Sequence, residues 1–174
     1  MKKLGLFPKI VAYISILSGA LWLGGYFLRM IVFYQLFQGP ELNLRNFVTS
    51  QNLGGILTIL NSAVLTTGIL YAVFIVSFLL FVVSSKVSFK ENGWLFISAV
   101  IIFVTMPFEI YLMSIDYKIF TIVNTGVFNA NQILTMYIKR LNVLGSFTIV
   151  EILSYFSVIY FVIFQPLKKR AEEK

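Results

Sequence analysis

The sequence predicts an all-α integral membrane protein: a four-helix bundle with both termini cytoplasmic. Composition is the first observation behind this. Of 174 residues, 59% are hydrophobic and 12% charged, and the mean hydropathy is +0.89. Soluble domains carry roughly 25% charged residues, and half that supply cannot cover a globule of this size. The second observation is that the apolar residues gather in four runs near the ~20-residue length of a bilayer-crossing helix. The third is the placing of the basic residues. The net charge is +7, but Lys and Arg sit in short clusters at the ends of apolar runs. Nucleic-acid binding calls for a basic face or stripe instead.

The four runs are taken in chain order, all within a single membrane domain, 1–174. The first spans about residues 10–33 and is free of charge until Arg29. The second, about 58–83, lies in the charge-free stretch 46–85. The third, about 93–115, contains Glu109, and the fourth, about 141–164, contains Glu151. Helices are expected because each satisfies its own backbone in lipid. A barrel needs short strands of alternating polarity, and these runs are continuous. Asn129–Asn131 is a plausible helix start, so the fourth helix is expected to project beyond the bilayer.

Four spans put the N-terminus, the middle loop and the C-terminus on one side. That side holds Lys2, Lys3, Lys9, Lys86, Lys90, Lys168, Lys169, Arg170 and Lys174. The other side holds Arg45, Lys118, Lys139 and Arg140, with Arg29 inside the membrane near that end. The excess of basic residues marks the cytoplasmic side. A multi-pass protein of the bacterial inner membrane follows. Its first apolar run continues through Leu28, longer than a cleavable signal core, so it is read as an uncleaved anchor.

With no cysteine and no histidine, disulfides, thiolate chemistry, histidine-based zinc sites and Ser-His or Cys-His pairs are excluded. No cofactor or metal is expected; Met30, Met106 and Met113 are read as gap fillers. What remains is three ionisable residues inside spans: Arg29, Glu109 and Glu151. At ~1.5 Å per residue, Arg29 and Glu109 lie about 6–9 Å below the outer boundary, and Glu151 roughly 15 Å. Intramembrane charges normally face the bundle interior. The expectation is that Arg29 holds Glu109 ionised through a bidentate contact, while Glu151 is the surplus carboxyl and carries the proton.

Other residues are expected to support this network. Thr58, Asn61, Ser62 and Thr66 follow i, i+3, i+4, i+8 spacing and so share one helix face, read as interior. Ser15, Ser18, Gly19, Trp22, Gly25 and Arg29 form a small-residue face for close packing on a partner helix. Pro107, two residues before Glu109, is expected to kink the third helix. No catalytic set is evident: two carboxylates can do acid–base work, but no nucleophile or metal set accompanies them.

The stretch Ala20-Leu21-Trp22-Leu23-Gly24-Gly25 and the Lys139-Arg140-Leu141-Asn142 entry to the last helix resemble small bacterial four-helix membrane proteins related to the copper-resistance D family. Members often carry histidine near the start of that last helix, where this chain has Asn142. No residue role is carried over from the resemblance. The leading functional reading is an accessory or structural four-helix subunit of a membrane complex. Its partners would be the bilayer, other membrane subunits or further copies of the chain, and not nucleic acid. The alternative is a small carrier or proton-coupled binding protein using Arg29, Glu109 and Glu151, which requires a cavity reaching the glutamates from the outer side.

Overall fold

The computed structural model describes residues 4–39, 41–143, 145 and 147–168. Pro40 and the basic residues Lys2, Lys3, Lys169, Arg170 and Lys174 lie outside them. Five helices are described: α1 (Leu6–Gln35), α2 (Leu53–Ser85), α3 (Gly93–Val123), α4 (Ala130–Val143) and α5 (Phe147–Phe164). All but α4 are long and apolar enough to cross a membrane. Their outward faces are mostly apolar, with Ile59, Val76, Val83, Val104, Leu153 and Ile163 exposed. A surface of this kind suits lipid and not water.

The long helices run up and down. Gly19 of α1 faces Phe74 of α2, and Arg29 meets Thr67, so α1 and α2 are antiparallel. Phe78 packs on Phe103, and Gly68 lies beside Met113, which reverses the direction again in α3. Thr105 bonds to Tyr155, while Glu109 neighbours Glu151, making α5 antiparallel to α3. The start of α1 and the end of α5 therefore lie at the same end of the bundle. A hairpin of β1 (Phe37–Gln38) and β2 (Asn43–Leu44) links α1 to α2 at the opposite end, referred to below as the outer end.

Two departures from the sequence expectation share one cause. The third helix does not stop near Ile115. It continues to Val123, because nothing breaks it before Asn124 and Gly126, and Asp116, Ile119 and Val123 keep its buried face going. The fourth apolar segment, conversely, is not one helix from 141. It is divided into α4 and α5, so Lys139, Arg140 and Leu141 belong to α4. At Gly145 a Cβ would come within 2.9 Å of the Leu141 carbonyl oxygen. That close approach admits glycine and lets the chain change direction. Asn129 caps α4 as expected, accepting from the backbone N–H of Asn131 and Gln132 at 3.0 and 3.3 Å.

Length explains the layout. The 33 and 31 residues of α2 and α3 correspond to about 50 and 46 Å, whereas the 18 of α5 reach only about 27 Å. One corner of the bundle is therefore vacant at the outer end, and α4 fills it. Its buried Ile133, Tyr137 and Arg140 are spaced by four and three residues, one face of a helix, while Asn131, Gln132 and Lys139 stay outside.

The core falls into two clusters along the bundle axis. The outer one joins Phe33, Leu57, Leu60, Val64, Ile119, Ile133 and Tyr137. The inner one joins Trp22, Tyr26, Tyr71, Phe74, Phe78, Ile102 and Tyr155. The small-residue face of α1 packs on α2 as read from sequence: a Cβ at Gly25 would come within 2.8 Å of Thr67 Cγ2, and one at Gly19 within 2.9 Å of Phe74. Pro107 lies inside α3, which continues past it.

Gly25→Val should force α1 away from Thr67 and cost about 1–3 kcal/mol, as overpacking does. Gly24→Ala, with nothing within 4 Å of the added carbon, should leave stability unchanged or slightly raised. Thermal unfolding of both variants in the same detergent checks the contrast; equal melting temperatures would contradict the close α1–α2 approach.

Candidate functional site: a buried arginine and carboxyl layer

Between the two apolar clusters lies a layer of charge drawn from every helix of the bundle. Arg29 faces inward on α1, one helical turn from Tyr26, and its guanidinium carbon is 5.0 Å from the Tyr26 ring centroid. Its Nη1 donates to Thr67 Oγ1 at 2.9 Å, and the Thr67 hydroxyl in turn donates to the carbonyls of Ala63 and Val64. The same Nη1 stands 3.6 Å from Asp116 Oδ2. From α4, Arg140 donates Nε to Asp116 Oδ1 at 2.7 Å and Nη2 to Oδ2 at 3.2 Å. One carboxylate thus serves two guanidinium groups, with a two-pronged contact to one of them. All three side chains are buried.

This corrects the expected pairing. In the structure Arg29 finds its carboxylate in Asp116 and not in Glu109 or Glu151. Asp116 lies two turns along α3 from Glu109 on the same face. Sequence reasoning placed it in a connection because the apolar run ends at Ile115. Arg140 was likewise counted with the outer basic residues. Burial works against its charge, but Asp116 outweighs that and leaves its pKa above the ordinary arginine value. Nearby, burial and the Asp116 charge push the Tyr137 hydroxyl up; that hydroxyl donates to Asn61 Oδ1 at 3.5 Å.

The rest of the expected α2 stripe does not point inward. Thr58, Ser62 and Thr66 are exposed, and each donates to a carbonyl four residues back: Gly54, Thr58 and Ser62. A hydroxyl that bonds back to its own helix needs no partner. Thr67, not Thr66, is the interior hydroxyl.

Further in, two turns along α3 from Asp116, is the level of the two glutamates. Glu109 is 2% exposed and Glu151 0%. The glutamates are neighbours across α3 and α5. Glu151 is therefore not deeper than Glu109: it sits four residues into α5, about 6 Å from that helix's start. Among the described residues, both carboxyl oxygens of Glu151 and Oε2 of Glu109 have no hydrogen-bond partner. Trp22 lies beside Glu109 and Tyr26 beside Glu151, yet the indole N–H and the phenol close no bond to them. The Tyr71 hydroxyl is also unpartnered. Buried polar groups are normally bonded, and an unpaired one costs about 1–3 kcal/mol or more.

Two spaces reach the layer. A pocket of about 20 Å³, bounded by Tyr26, Arg29, Arg140 and Thr148, holds roughly one water. A cleft of about 200 Å³ between α2 and α3 has Arg29, Glu109 and Asp116 at its floor and apolar walls including Val64, Ile69 and Met113. Glu109 borders the cleft; Glu151 borders neither space.

The layer thus divides in two. Arg29, Asp116 and Arg140 satisfy one another. Glu109 and Glu151 do not. Asp116→Asn should strand two buried guanidinium groups and cost about 3–5 kcal/mol. Thr67→Val removes one hydrogen bond to Arg29 and should cost about 1.5–3 kcal/mol. Ranking the melting temperatures of the two variants tests this; an Asp116→Asn protein as stable as wild type would break the assigned triad.

Compared with protein-family models, with curated proteins and with solved structures, the chain matches none; its site is read from its own chemistry.

Proposed function

We propose that this is a multi-pass inner-membrane protein with cytoplasmic termini, acting as a small proton-coupled binding protein or carrier. The observation that carries the reading is the pair Glu109 and Glu151, buried side by side with carboxyl oxygens unpartnered. Counting charge supports it. Two guanidinium groups face three carboxyls, so full ionisation leaves one negative charge surplus in a medium of low dielectric. One carboxyl carries a proton under those conditions. Asp116 is the carboxyl that both arginines contact. The proton therefore belongs to the glutamate pair, which can release it when a compensating charge arrives.

The accessory-subunit reading also has support: the Arg29–Asp116–Arg140 triad is self-sufficient, as an inter-helix fastener is. The two readings part at the glutamates. Infrared spectroscopy of the protein in detergent near neutral pH should detect the carbonyl stretch of a protonated carboxyl, lost in Glu151→Gln. That variant keeps shape and neutral charge, so its melting temperature should stay close to wild type. A spectrum without a protonated carboxyl would remove the proton-coupled reading and leave the accessory one. Reporter fusions after Lys174 test orientation and should give a cytoplasmic signal, as the Lys and Arg distribution requires.

A further inference from the structure

We infer that the cleft between α2 and α3 takes a lipophilic organic monocation from the bilayer, its charge neutralised at Glu109 in exchange for the proton of the glutamate pair. The inference rests on the proton-coupled reading and names its ligand class. Size comes first. A cavity of ~150 Å³ accommodates a benzene ring, so about 200 Å³ admits one ring or one trimethylammonium group, with the remainder of the molecule outside. The entry faces sideways, because Leu65, Ile69 and Tyr117 on the two sides of the cleft are exposed on the lipid-facing surface. A ligand arriving there is already dissolved in the membrane.

Charge decides its sign. At the floor, Arg29 Nη1 donates to Thr67 and stands 3.6 Å from Asp116, and carboxyls outnumber guanidinium groups in the layer, so a further anion would add to a negative surplus. The unpartnered group there is Glu109 Oε2, on a side chain 2% exposed. The groups surrounding Glu109 are Trp22, Tyr26 and Arg29 of α1, Tyr71 of α2, Asp116 of α3 itself, Arg140 of α4, and Glu151 and Tyr155 of α5. With Glu109 itself included, two guanidinium groups face three carboxyls, and the charges sum to −1 when every carboxyl is ionised. A proton or one organic cation fills that deficit, but not both. Tyr117 and Phe120 line the same cleft, and aromatic rings attract a weakly hydrated cation. The only covalent change is a proton transfer: one carboxyl O–H of the glutamate pair breaks and its proton passes to water or buffer as the cation enters.

The test uses the full-length protein in dodecyl maltoside with benzyltrimethylammonium as probe and neopentylbenzene, its uncharged carbon isostere, as control. Calorimetry gives affinity, and an indicator dye in weak buffer gives protons released. The cation should bind with one proton released, and its affinity should rise about tenfold per pH unit while the pair remains protonated. The isostere should bind at least tenfold more weakly and release none. Glu109→Gln should abolish both binding and release. Gly68→Leu fills the cleft away from the acids, its first carbon in ordinary contact with Met113 at 3.5 Å, and should weaken the cation at least tenfold. Equal binding of cation and isostere, or cation binding without proton release, overturns the inference. No binding while the infrared carboxyl signal persists rejects the ligand class and leaves the proton-exchanging pair standing. Loss of that signal in the wild type would remove both.

Discussion

The fold turns on a single carboxylate. Asp116 is the counterion for a guanidinium from α1 and for another from α4, and all three are enclosed between two apolar clusters. Both arginines are buried, and an uncompensated buried charge costs several kcal/mol. The consequence is geometric. Arg29 must bring α1 to α3 at one axial level, and Arg140 must bring the last turn of α4 to the same level. Thr67 adds α2 to the meeting point. The position of α4, an amphipathic helix too polar to cross a membrane, follows from this demand as much as from the vacancy above the short α5.

The neighbouring layer obeys a different logic. Fasteners are satisfied, and Asp116 with its arginines makes use of both its oxygens. Glu109 and Glu151 sit about two turns away, among Trp22, Tyr26 and Tyr71, whose polar atoms are also unpaired among the described residues. An apolar replacement of similar volume would be a cheaper way to fill such a space. Keeping two acids there suits groups whose protonation is meant to change. The triad, by holding a fixed charge balance beside them, sets how much negative charge the pair can bear.

Most of the helical architecture was legible in hydropathy alone, since length and continuity of apolar runs are what a bilayer demands. The inward face of α1 was legible as well, because Gly19, Gly25 and Arg29 share a spacing that only close packing explains. The acidic hub was not. Glu109, Leu112, Asp116, Ile119 and Val123 repeat every three or four residues, and that period ran past the end of the apolar stretch; following it would have carried the helix through Asp116. The α4–α5 division falls at Gly145, where a Cβ would crowd the Leu141 carbonyl, a closeness that exists only in three dimensions. Ser62 and Thr66 misled for a chemical reason: a hydroxyl that bonds back to its own helix is comfortable against lipid, so polarity there carries no direction.

The order of the chain gives the hub a history as well as a geometry. A protein emerging from its N-terminus delivers Arg29 to the membrane before any carboxylate that can neutralise it. The first help is the Thr67 hydroxyl, 38 residues on, together with the adjacent Tyr26 ring. Asp116 comes only with the third helix, and Arg140 another 24 residues after that. In a bilayer the α1–α2 hairpin alone would hold an open charge, at a cost of about 2.5–3.5 kcal/mol at a helix centre and less near an end. The long apolar remainder of α1 and the placing of Arg29 toward the end of that helix would offset it. Asp116 of α3 closes a charge that the first two helices leave open.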